Sequence, residues 1–120
     1  MHHVPSFDLK RKLFKQLASN LISDNSLLIS SFWQFTKSPR FSKKVIDPQL
    51  VGIDSKNLEP NDYVIDWLRG KRAFRYFHFT DKAEVEKLIK DSNLKIQKQF
   101  YADGKSGVLN LYSVLTKTPK

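Results

Sequence analysis

The sequence has no cysteine among its 120 residues, which excludes disulfides, thiolate zinc sites and cysteine nucleophiles. Glycine is nearly as scarce, with four residues at 52, 70, 104 and 107. None of them builds a Gly-x-Gly-x-Gly turn, the device that lets backbone approach a nucleotide-like ligand closely. Long apolar runs are missing too. The longest, "LLISSFWQF", falls well short of the ~20 residues needed to cross a bilayer. No basic start leads into the short apolar stretch of a secretory leader, so the expectation is a soluble, cytoplasmic chain without membrane contact. The three histidines lack an HxxxH spacing, and adjacent His2 and His3 cannot complete a tetrahedral site alone, so no metal is expected.

Acid is in short supply: 12 Asp+Glu face 21 Lys+Arg, for a formal net charge of +9. Such an excess favours phosphates or an anionic surface as partners, although a lysine-rich soluble surface gives the same figure. What is present in quantity is apolar and aromatic, at 40% and 12% of residues. That suffices for one modest core, and the expectation is a single domain over residues 1–120.

Along the chain, "PSFDLKRKLFKQLASNLI" reads as an amphipathic helix with Leu9, Leu13, Phe14, Leu17 and Leu21 on one stripe. Ser6 is its expected N-cap, Asp8 suits the first turn, and Lys10, Arg11, Lys12 and Lys15 make the other face basic. "SLLISSFWQF" is too short for a helix and suits a strand buried on both faces, as in a parallel sheet. Residues 36–60 hold three of the five prolines and little periodicity, and read as an irregular insertion. "NDYVIDWLRGKRAFRYFHF" is extended, with a turn at Arg69-Gly70-Lys71. Thr80 is the expected cap of a helix that turns Val85, Leu88 and Ile89 inward and Lys82, Glu84, Glu86, Lys87 and Lys90 outward, ending at Asn93. "LKIQKQFYADGKSGVLNLYSVLTK" reads as a hairpin around Asp103-Gly104. The order helix, buried strand, insertion, helix, strand, strand is that of the second half of an open α/β sheet ending in an antiparallel edge strand.

Two stretches carry a resemblance. "MHHVPSFDLKRKLFKQLASNLISDNSLLISSFWQF" resembles the segment after the fourth strand of a class I S-adenosylmethionine methyltransferase, where a "hHHhPs" step leads into a helix and the fifth strand. "NDYVIDWLRGKRAFRYFHFTDKAEVEKLIKDSNLKI" is similar to the "D-v-x-v-P-W … R-Y-Y-H" pattern of the tRNA wobble-uridine methyltransferases, which methylate a carboxymethyl group on anticodon uridine. Here Asp66 stands where that family has proline before Trp67, and Asn93 where it has glycine. The resemblance implies the C-terminal half of a Rossmann-like sheet, tRNA or another RNA as partner, and S-adenosylmethionine as cofactor only if the missing N-terminal half is supplied. That half could come from a second polypeptide, and the chain alone is expected to be inactive.

Methyl transfer from a sulfonium is an in-line displacement that depends mainly on positioning. A carboxylate nucleophile is already ionised at neutral pH and needs a cation to hold it. Arg75 suits that role, because a guanidinium grips carboxylates bidentately. His78 could donate to substrate or orient Arg75, or serve structure alone. The pleat places Arg75, Phe77 and Phe79 on one face of the strand, and Tyr76 and His78 on the other. The resemblance implies catalytic roles for Arg75, His78 and His3, and a place for His2 and His3 at the mouth of the cofactor site. It also implies substrate contacts from Asp62, Trp67, Arg72, Tyr76, Phe77 and Trp33. Two other readings stay open: a small basic RNA-binding module, and a non-catalytic partner subunit of a methyltransferase.

Overall fold

Helix α1 (Phe7–Ser19) begins where the Ser6 hydroxyl accepts the Leu9 amide, with Asp8 in its first turn. Its buried stripe is Lys10, Phe14 and Ala18, one residue per turn. This departs from the expected stripe at its amino end. Leu9 is 50% exposed, whereas Lys10, expected on the basic outer face, is 1% exposed. The computed structural model describes residues 1–69 and 71–118, and the side chains of these except for residues 67–69, 71 and 72. The expected turn residue Gly70 lies outside the described residues.

The fold is mixed α/β. After α1 come β1 (Leu27–Trp33), the short helix α2 (Pro39–Ser42), β2 (Val45–Ile46), β3 (Asp62–Arg69) and β4 (Lys71–His78). Helix α3 (Lys82–Ile89), β5 (Leu94–Ala102) and β6 (Asn110–Lys117) complete it. The strands form two three-stranded sheets, β1-β6-β5 and β2-β3-β4, and every pairing is antiparallel. Strand β1 is therefore not buried on both faces within a parallel ladder. It pairs only with β6 among the described residues, and its side chains alternate, with Ile29 60% exposed and Phe32 fully buried. The apolar run that suggested two buried faces is a strand with one bare apolar face.

Because β6 is antiparallel to both neighbours, β1 and β5 run parallel to one another, with β6 reversed between them. The reversed strand thus lies at the centre of its sheet rather than at the edge, where it was expected. The terminal hairpin itself forms as read. Asp103 fastens its loop by accepting from the Tyr112 hydroxyl and the Asn110 amide. Gly104 sits at φ +73°, where a Cβ would stand 3.0 Å from that of Leu109, so the turn needs glycine.

Each sheet has its own core. Helices α1 and α3 lie on one face of β1-β6-β5, where Phe14, Val85 and Leu88 pack on Phe32, Leu111 and Leu115. The second core is aromatic: Phe35, Ile65 and Phe77, lined by Trp33, Phe41, Tyr63 and Phe79. Residues 36–60 are not wholly irregular, since they contribute α2, β2 and short 3-10 turns at Pro48–Val51 and Ser55–Asn57. Helix α3 is capped by Asp81, whose carboxylate accepts the Glu84 amide; Thr80, the expected cap, is buried one residue earlier.

Candidate functional site

The pleat of β4 sends its side chains to two different places. Arg75 and Phe77 line an open cavity of about 310 Å³ together with His2, His3 and Trp33. Tyr76 and His78 point the other way, into a buried polar cluster with Asp62 and Glu84. The alternation expected along residues 75–79 is the one observed.

The cavity sits at the carboxyl end of β1, where Trp33 closes the strand. Its floor is a set of rings in contact: Trp33 meets Phe77 edge-on at 4.8 Å between centroids, and His3 lies 4.5 Å from Phe77. The first three residues are held there by backbone and ring contacts. The His78 amide donates to the His2 carbonyl at 2.9 Å, and the Trp33 amide to His2 Nδ1 at 3.3 Å. Burial, the nearby N-terminal charge and His3 lower the His2 pKa to about 4, so its ring is neutral at pH 7 and carries its proton on Nε2. His3 is the opposite tautomer when neutral, since its Nδ1 lies 3.3 Å from the Tyr76 carbonyl and must donate to it. Arg75 is exposed at the cavity's edge. A ring-floored cavity with a guanidinium at its rim suits a flat ring bearing an anionic group.

The opposite side of β4 is a clamp. His78 is 3% exposed, with Nδ1 2.5 Å from Asp62 Oδ1 and Nε2 2.8 Å from Glu84 Oε1. Both acceptors are carboxylates, so both nitrogens donate and the ring is an imidazolium. Burial alone would lower the His78 pKa, but the hydrogen bonds to Glu84 and Asp62 outweigh it and the net shift is upward. Asp62 also accepts from the Tyr76 hydroxyl at 2.6 Å and from the Glu59 amide at 2.8 Å. Burial and that bond to Asp62 raise the Tyr76 pKa, which keeps the phenol protonated. The Glu59 carboxylate in turn accepts the Phe7 amide at the start of α1. Burial lowers the pKa of Lys10, while the charges of Glu84, Asp62 and Glu59 oppose that shift.

The expected site residues thus divide. Arg75, Phe77, Trp33, His2 and His3 come together in one cavity. Asp62, Tyr76 and His78 are instead engaged with each other, which leaves neither ring nitrogen of His78 for a substrate. The side chains of Trp67 and Arg72 lie outside the described residues. Sequence reasoning missed Glu84, the other member of the clamp, and the burial of Lys10. Glu84 carried a legible signal, an acid three residues after the Asp81 cap, but Lys10 carried none. Among the described residues, no group of three or more His, Asp or Glu could hold a metal ion, and no helix is long and apolar enough to cross a membrane.

The cavity does not fit S-adenosylmethionine by itself. Among the described residues its lining has no carboxylate to hold ribose hydroxyls or balance a sulfonium, and the Arg75 charge would repel that sulfonium. No protein-family model matches the chain, and no curated protein does either.

Proposed function

We propose that this chain is the C-terminal half of a class I S-adenosylmethionine-dependent methyltransferase acting on tRNA, with the cofactor held by a half that lies elsewhere in polypeptide. The observation that carries the reading is the incompleteness of the β1-β6-β5 sheet. Both helices pack on one of its faces, while the other face leaves Leu27 52% and Ile29 60% exposed. Strand β1 also ends the sheet among the described residues, and an apolar edge strand with a bare face calls for a further strand and helices to cover it. The parallel relation of β1 and β5, with helix α3 on the connection between them, is the pattern of an open α/β sheet. Ligands in such sheets bind beyond the carboxyl ends of the strands, which is where the Trp33 cavity lies.

On this reading the chain supplies the substrate side. Arg75 holds an anionic group on the substrate base, Phe77 and Trp33 give that base a surface, and the second half brings the methyl donor. The test is calorimetry of S-adenosylmethionine binding by the purified chain, with and without bulk tRNA. The expected result is tRNA binding with no cofactor heat. Micromolar cofactor binding by the lone chain would overturn the half-site reading. Methyl transfer to bulk tRNA is then assayed with the half encoded in frame upstream, if one exists, restored. Absence of transfer from that restored protein would overturn the activity.

A second reading, a basic RNA-binding module without catalysis, is favoured by one observation: the ring-floored cavity is assembled from this chain's own residues. Cofactor heat from neither the chain nor the restored protein, with tRNA binding retained, selects it.

A further inference from the structure

Three cations rest on aromatic rings rather than on acids, and one of those rings, Phe41, touches Trp33 of the cavity. Trp33 meets Phe41 of α2 edge-on at 4.7 Å, and the Arg40 guanidinium lies 5.2 Å from the Phe41 ring centre. The Lys37 and Lys82 ammonium groups both sit over the ring of Tyr101, at 4.7 and 5.0 Å. Lys37, Arg40 and Lys82 are exposed, and none has a carboxylate partner among the described residues. The distinction matters chemically. A cation in a salt bridge has spent its donors on the acid. One resting on a ring keeps its N–H groups free for a phosphate while losing little freedom on binding it.

We infer that Lys82, Lys37 and Arg40 form a phosphate track for a single strand of RNA, which delivers one unstacked base to the cavity of Trp33, Phe77 and Arg75. The inference rests on the RNA part of the function proposed above and not on methyl transfer. Three things favour a nucleic-acid strand over an acidic peptide. The cations are borne on rings, one of those rings touches Trp33, and Trp33 lines a ring-floored cavity of about 310 Å³. A single strand is required because a base within a duplex cannot reach a cavity walled by rings.

The first test uses the unaltered protein. Lysines are reductively methylated with and without a short single-stranded oligoribonucleotide and then mapped by mass spectrometry. Protection of Lys37 and Lys82, with Lys95 and Lys105 still reactive, is the expected result. Equal protection of all four overturns the track as mere net charge. Stronger protection by poly-glutamate than by the oligonucleotide overturns it in favour of an acidic protein partner. The second test is fluorescence anisotropy of the same labelled oligonucleotide across a salt series. The slope of log affinity against log salt should lose roughly 0.7 for each cation removed. The combined variant K37Q/R40Q/K82Q should therefore lose about 2 from the slope. The control K12Q/K95Q/K105Q, with the same change of charge elsewhere, should stay close to the parent. Equal loss in the two variants overturns the track, as does tighter binding of a duplex of the same length. Tracked binding without methyl transfer in the restored protein would sink the catalytic reading and leave this one standing.

Discussion

The two sides of strand β4 differ in what they ask of their residues. On one side Tyr76 and His78 are fixed within a cluster joining β3, β4 and α3, with the Tyr76 hydroxyl and both His78 ring nitrogens committed to Asp62 and Glu84. On the other side, two residues of the same strand, Arg75 and Phe77, border an open cavity with a guanidinium at its rim. The comparison teaches that a cluster such as Arg-Tyr-Phe-His in a strand is not one site. Its even-numbered members, Tyr76 and His78, hold the hairpin in place, while Arg75 and Phe77 across the pleat line the cavity. His78 lies in the clamp, and its influence on the cavity runs through the position of the strand.

The difference can be broken most sharply at the clamp. His78→Ala leaves Asp62 and Glu84 as buried carboxylates without their shared cation, and should cost about 3–5 kcal/mol in urea unfolding. An effect within experimental error would show that the cluster is hydrated and weak. Tyr76→Phe removes one donor to a charged acceptor and should cost about 1.5–3 kcal/mol, with the cavity side unaltered. At the other extreme, Arg75→Gln should change stability by less than about 0.5 kcal/mol while weakening tRNA binding. A large loss of stability there would mean that the two sides of the strand are not separate.

The pH dependence sharpens the same comparison, because each side has a histidine displaced in the opposite direction. His78 has a raised folded pKa, so its contribution is fully present below the unfolded value of about 6.5 and is lost as pH rises through the folded pKa. His2 is lowered to about 4, so its contribution is present above the unfolded value and is lost as pH falls from there towards 4. Urea midpoints measured against pH should therefore fall away on both sides. His78→Gln should flatten the alkaline limb and His2→Phe the acid limb. The smallest effect expected is on the His78 titration itself. The Lys10 charge is one of the influences that hold that pKa down, so Lys10→Met should move the NMR titration of His78 upward. A downward movement would mean that the lysine acts on the ring through packing instead.

Much of the local structure was legible. The Ser6 cap, the inward face of α3 and the terminal hairpin follow from propensity and turn chemistry alone, and each is present. Burial was read less well. The rule that lysine faces water hid Lys10, which is 1% exposed. An apolar run cannot say whether both faces of its strand are covered, so β1 was given a buried environment that the described residues do not supply. At the site, strand alternation was enough to separate Arg75 from His78. The acid that completes the clamp stayed hidden, because Glu84 also satisfies the ordinary pattern of an exposed helix face.

The placement of β6 bears on how the protein is made. Chain synthesis runs from the amino end at roughly 5–20 residues per second, and local elements can form as they emerge. Here the strand that pairs with both β1 and β5 is the final one, Asn110–Lys117. Until it leaves the ribosome, the other two members of that sheet have no ladder between them, and the helices packed on it have only part of their floor. A transcript cut short before residue 110 would yield a polypeptide carrying every cavity and clamp residue named above, yet lacking the strand that ties its first sheet together. Quality control of nascent chains should therefore be especially sensitive to loss of the codons for residues 110–117.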